Sequence, residues 1–180
     1  MTQATERIPD AVHELLGRGG PREILSRIVP GDPLQVRPRA ARRIRARALL
    51  FDAERAALRA LALIAERAVR WRGRPALDPW LDARVDEALD ELLAEERDGA
   101  PRAPAPDPIA ERLGLVPEAL ARGRARFHAL ALEDRDAFHR LVLEAGSLDE
   151  TARALGVGAP ELARRARRGL LAFVAGEGRP

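Results

Sequence analysis

The chain has 180 residues, 31 of them Arg and none Lys, against 28 Asp and Glu and three His, for a formal charge of +3. That length can bury one substantial core or two small helical ones, and the absence of Cys excludes disulfides and thiolate metal sites. The opening MTQATERIPD carries no export signal and no stretch reaches the roughly 20 apolar residues that span a bilayer, so a cytoplasmic protein without membrane contact is expected.

Apolar residues recur at helical spacing throughout, as in Leu81, Val85, Ala88, Leu89, Leu92 and Leu93, and no run alternates β-branched residues at period two. The expected class is all-α, with two small helical lobes. Residues 1–38 read as an N-terminal helical extension, with short helices near Asp10–Leu16 and Arg22–Ile28 punctuated by RGGPR and PGDP. Residues 39–97 read as the first lobe, with long helices across Arg39–Arg70, a break at RGRP and one helix over Asp78–Arg97.

Charge is uneven across that lobe. Arg37 to Arg74 holds 12 Arg against Asp52, Glu54 and Glu66, whereas Leu77 to Asp98 holds nine acids against Arg84 and Arg97. The acidic helix is therefore expected to lean on the basic one, around a core of Leu58, Leu61, Ile64, Trp80, Val85, Leu89 and Leu92. Trp71 and Trp80 read either as core anchors or as platforms for stacking bases.

DGAPRAPAPDP, residues 98–108, is the expected linker, because its four prolines deny a helix its hydrogen bonds. Residues 109–180 form the second lobe, with helices near Ile109–Leu113, Pro117–Ala131, Glu133–Ala145, Leu148–Leu155 and Ala159–Val174. LGLVPEALAR (113–122) and LGVGAPELAR (155–164) share five of ten aligned positions. That echo is either chance in a Leu/Ala/Arg-rich chain or a repeated turn into a helix.

Ser147 followed by Glu150 fits a reciprocal capping box, so a helix should open at Leu148. Gly156 should end it, and Pro160 suits the first turn of the next helix. The succession predicts a helix-turn-helix. Its second helix carries Arg164, Arg165, Arg167 and Arg168, leaving Leu162, Ala166 and Leu170 for the core. Such a helix enters the major groove, where Arg binds phosphates or guanine edges. The other reading is a solvated Arg face near a helix C-terminus. Gly156, expected at positive φ, should tolerate Val less well than Gly123, expected inside a helix.

Phe127 to Val174, with LEDRDAFHRLVLEAGSLDETARALGV in register, resembles the promoter-binding C-terminal domain of bacterial RNA polymerase sigma factors of the extracytoplasmic-function type. Ser147, Glu150, Ala152, Leu155, Gly156 and Val157 match, and Gly146 stands one residue later than that pattern's Gly. Upstream, WRGRPALDPWL (71–81) is similar to the signature preceding the same family's promoter-melting helix. The resemblance implies duplex DNA as a partner, read by the four Arg, and core RNA polymerase as a second. The chain departs from the family at DARVDEALDELLAEE, whose carboxylates oppose phosphate, and at the apolar, Arg-bearing DAERAALRALALIAERAVR. It departs again at Pro160 and Glu161, where small polar residues are usual; Glu161 could accept from cytosine N4.

His13, His128 and His139 lack metal-ligand spacing, no Lys exists for a phosphate loop, and Asp86, Glu87, Asp90 and Glu91 have no accompanying nucleophile. An enzyme, a metal and a cofactor are accordingly not expected. The competing class is a helical protein–protein interaction module that keeps the sigma-like fold without binding DNA or polymerase.

Overall fold

A computed structural model describes residues 15–17, 19–98 and 108–174. Every regular element among them is helical. In chain order they are α1 (Pro21–Ile28), α2 (Val36–Ala46), α3 (Ala53–Ala68), α4 (Leu77–Arg97), α5 (Pro108–Leu113), α6 (Pro117–His128), α7 (Leu132–Phe138), a π-helical turn (His139–Leu143), α8 (Leu148–Leu155) and α9 (Ala159–Val174). The helix expected near Asp10–Leu16 lies outside the described residues except for Leu15 and Leu16, which are helical, and the linker expected at 98–108 lies outside them except at its ends. No helix among the described residues is long and apolar enough to cross a membrane.

Contacts divide the chain into two compact units. One holds the described residues up to Arg43 together with Ala53–Glu91; the other holds Ile44–Asp52 and the described residues from Leu92 onward. The segment between α2 and α3 thus belongs to the second unit, although it lies within the first half of the sequence.

In the first unit, α1 packs on α3 and buries Ile24 and Ile28 completely. α2 opens at Val36, ahead of the expected Arg39, because Pro38 falls in its first turn, where no amide is needed. Asp32 closes that end, accepting from the amides of Val36 and Arg37 at 2.8 Å each. Leu61, Ile64, Trp80, Val85 and Leu89 are buried as expected, as is Leu92 where α4 enters the second unit, whereas Leu58 is 45% exposed. α3 is apolar on more than one side, and its buried stripe runs through Ala56, Ala57, Ala60, Leu61 and Ile64, so periodicity alone could not choose the face. The acidic helix does pair with the basic segment: Arg39 bonds Asp78 and Asp82, Arg43 bonds Asp82 at 3.2 Å, and Arg67 bonds Glu87 at 3.0 Å. Exposed pairs of this kind contribute roughly 0–1 kcal/mol each, so apolar burial dominates.

The second unit is centred on three aromatic rings. Phe127 meets Phe138 at 5.1 Å and Phe173 at 5.6 Å, with Leu50 and Leu120 fully buried in the same cluster. α9 packs on α7 and α6 through two glycines. A Cβ on Gly169 would stand 2.7 Å from Phe138 Cβ, and one on Gly123 would stand 2.3 Å from Phe173 Cδ1. Gly169 therefore takes the core position expected of Leu170, which is 48% exposed. A smaller cluster of Ala137, Ala152, Leu162 and Ala166 joins α7, α8 and α9.

The echo is a repeat of geometry. Gly114 and Gly156 follow α5 and α8 at φ +64 and +65. Leu115 and Val157 each donate back across five residues, to Ala110 O at 2.9 Å and Ala152 O at 3.0 Å, the bond that closes a helix on a left-handed glycine. The aligned Leu120 and Leu162 are both fully buried. The Ser147 cap is thinner than expected: its Oγ accepts from Glu150 N at 3.5 Å, and no return bond from the Glu150 side chain occurs among the described residues.

Candidate nucleic-acid interface

α8, the left-handed Gly156 and α9 bring the four expected Arg onto one helix, whose opposite face is fixed by Leu162, Ala166, Gly169 and Phe173 in the core. The four do not share one environment. Arg164 has a 69% exposed side chain and Arg167 is exposed with no ion pair among the described residues. Arg164 and Arg165 both reach Glu161, at 2.7 and 2.9 Å, and together they pull its carboxyl below the usual carboxylate range, Arg165 most.

Arg168 is held by a different group. Its Nε and Nη2 donate to the two carboxylate oxygens of Asp134 on α7 at 2.8 and 2.6 Å, a fork-to-fork pair that raises its own pKa. The Asp134 side chain is only 12% exposed, so Arg168 ties α9 to α7. Sequence spacing placed all four Arg together and put Glu161 three and four positions before Arg164 and Arg165, within helical reach; what it could not show is that Asp134, 34 positions earlier, engages Arg168.

A second basic surface, on the first unit, was missed. Arg70, Arg72 and Arg74 are exposed in the turn after α3, and none forms an ion pair among the described residues. Trp71 stacks on the buried Trp80 with ring centroids 5.1 Å apart, and its indole N–H donates to Pro75 O at 3.0 Å. Both tryptophans therefore anchor the turn that displays the arginines. The alternation of Arg with Trp and Gly in RWRGR was the available signal.

His139 is buried and the side chain of His128 is 5% exposed, and both bond the backbone, while His13 lies outside the described residues. Among the described residues no group of three or more His, Asp or Glu is arranged to hold a metal ion. No family model, no curated protein and no solved structure matches the chain.

Proposed function

We propose that the protein is a divergent sigma-factor-like DNA-binding transcription protein, whose C-terminal helix-turn-helix contacts duplex DNA through α9. The observation that carries this reading is the left-handed Gly156 between α8 and α9, followed by a helix that keeps Arg164 and Arg167 exposed on the face opposite its core stripe. Guanidinium groups in that position meet phosphates without rebuilding the fold. Arg70, Arg72 and Arg74, without ion pairs among the described residues, add a second phosphate-compatible surface on the first unit. The order of the two sigma-like motifs along the chain supports the same reading, with core RNA polymerase as a further partner.

A specific observation favours the interaction-module alternative. Glu161 and Asp134 neutralise three of the four Arg from within the protein, and Leu170 and Leu171 are both exposed on α9. A face that is charge-balanced at one end and apolar at the other suits a protein partner better than phosphate.

Glu161→Gln separates the two readings. It frees Arg164 and Arg165 and removes a charge that repels phosphate, so the DNA reading expects tighter binding of a random duplex at low salt. Unchanged or absent duplex binding in both proteins contradicts it.

A further inference from the structure

The sequence contains Phe-His twice, Phe127-His128 at the end of α6 and Phe138-His139 where α7 gives way to the π-helical turn. In both, the phenyl ring faces the core that seats α9: Phe127 and Phe138 lie 5.6 and 5.8 Å from Phe173. The imidazoles address Ile44–Asp52 instead, and they take the two ends of one peptide group, the N–H and the C=O of the Leu49–Leu50 bond. His128 Nε2 lies 2.9 Å from Leu50 N, and His139 Nε2 lies 3.1 Å from Leu49 O. An amide only donates, so His128 Nε2 carries no proton and its Nδ1–H donates to Glu96 Oε2 at 2.8 Å. A carbonyl only accepts, so His139 carries its proton on Nε2. Leu50 is fully buried with Phe127, Phe138 and Phe173, and Arg45 bonds Asp136 at 2.8 Å and Glu144 at 2.5 Å.

We propose that Ile44–Asp52 is a latch on the C-terminal unit, held closed by neutral His128 and His139, and that proton uptake by these imidazoles releases it and loosens the seat of α9. A proton on His128 Nε2 turns an acceptor into a donor that faces the donor N–H of Leu50. A proton on His139 leaves its bond to Leu49 O in place but buries a positive charge beside Arg45.

His128 faces Glu96 from α4, Arg124 from its own helix and Arg135 from α7. His139 faces Arg45 from α2, with Asp136 and Glu144 on its other sides, and the latch segment itself carries Arg47 and Asp52. Burial holds both imidazoles below their ordinary range; for His128 Glu96 pulls the other way, and for His139 Arg45 adds to burial and brings it to about 4. Once released, each titrates near its unperturbed value of about 6.5. The open state therefore binds more protons below that pH, and closure weakens as pH falls from neutrality toward about 4.

The test is amide hydrogen exchange of the full chain, resolved by residue, between about pH 7.5 and pH 5. After correction for intrinsic exchange, opening at Leu50 should rise by up to about tenfold per pH unit for each histidine below about pH 6.5. The amides of Ala172 and Phe173 should follow Leu50, while those of Leu61 and Ile64 in α3 should not. The variant carrying both His128→Gln and His139→Gln, whose side chains can accept or donate without titrating, should lose the pH dependence. Should it not fold, the wild-type imidazole resonances decide: they should shift in step with the opening of Leu50. A Leu50 amide with flat protection across this range, or one exposed only together with Leu61 and Ile64, overturns the latch.

Discussion

Arg168 on α9 grips Asp134 on α7 through two hydrogen bonds of 2.8 and 2.6 Å, and so commits its guanidinium to holding the helix in place. Arg167, its neighbour, is exposed without an ion pair among the described residues. Arg168→Gln should therefore lower the melting temperature by several degrees, since it strands a mostly buried carboxylate, whereas Arg167→Gln should leave it nearly unchanged. Thermal unfolding of the two variants side by side checks this, and equal melting temperatures would remove the structural role of Arg168.

The surroundings of Gly123 and Gly156 argue for the reverse of the order that the sequence predicts. Gly156 has φ +65 and open space around it, so Ala there costs roughly 1–2 kcal/mol for the left-handed backbone alone. Gly123 lies against Phe173, whose Cα is 3.1 Å and Cδ1 2.3 Å from where a Cβ would stand. Overpacking of that kind costs roughly 1–3 kcal/mol for a single methyl and more for Val. Denaturant unfolding should rank Gly123→Val as the more damaging of the two Val variants; the reverse ranking would mean that α6 and α9 can move apart.

Removing the Ser147 hydroxyl should matter little. One bond at 3.5 Å, with no return bond from Glu150, places Ser147→Ala near the low end of cap losses, about 0.5 kcal/mol. A loss of about 2 kcal/mol would require a tighter cap than this geometry provides.

Leu50 lies in the first half of the chain but is completely buried in the aromatic core of the C-terminal unit. Leu50→Ala should cost roughly 2–5 kcal/mol, as large-to-small core changes do. Its effect should fall on Phe127, Phe138 and Phe173, whose side-chain resonances report the damage. Disturbance confined to α1 and α3 would contradict the membership of Ile44–Asp52 in that unit.

What was legible in the sequence follows from local chemistry. Ser147, Gly156 and Pro160 bound α8 and α9 because capping and turn preferences act within a few residues, and the opposed charge of the Arg37–Arg74 and Leu77–Asp98 segments pointed to their pairing, though not to which Arg meets which acid. Leu58 and Leu170 were misplaced because α3 is apolar on two sides and because Gly169 lets α9 approach so closely that no side chain is wanted there. The α-to-π change at His139 has no periodic signature. The two histidines were passed over because scattered His predicts no metal, yet each follows a core Phe, and what they hold is a peptide 78 and 90 residues earlier in the chain. At the candidate interface, the four Arg were readable as a cluster and Glu161 stood at helical spacing from two of them, while the Asp134 partner on α7 was a matter of tertiary packing.

The central claim is that the exposed part of the α9 Arg face meets duplex DNA. A salt titration of duplex binding by the wild type and by the Arg164→Gln, Arg167→Gln double variant tests it most directly, since neither residue is used to hold α9 on α7. The account predicts weaker binding by the variant and a slope of log affinity against log salt that flattens by about 0.9 for each phosphate no longer neutralised. Identical affinities and slopes for the two proteins, or no binding by either at low salt, would contradict it.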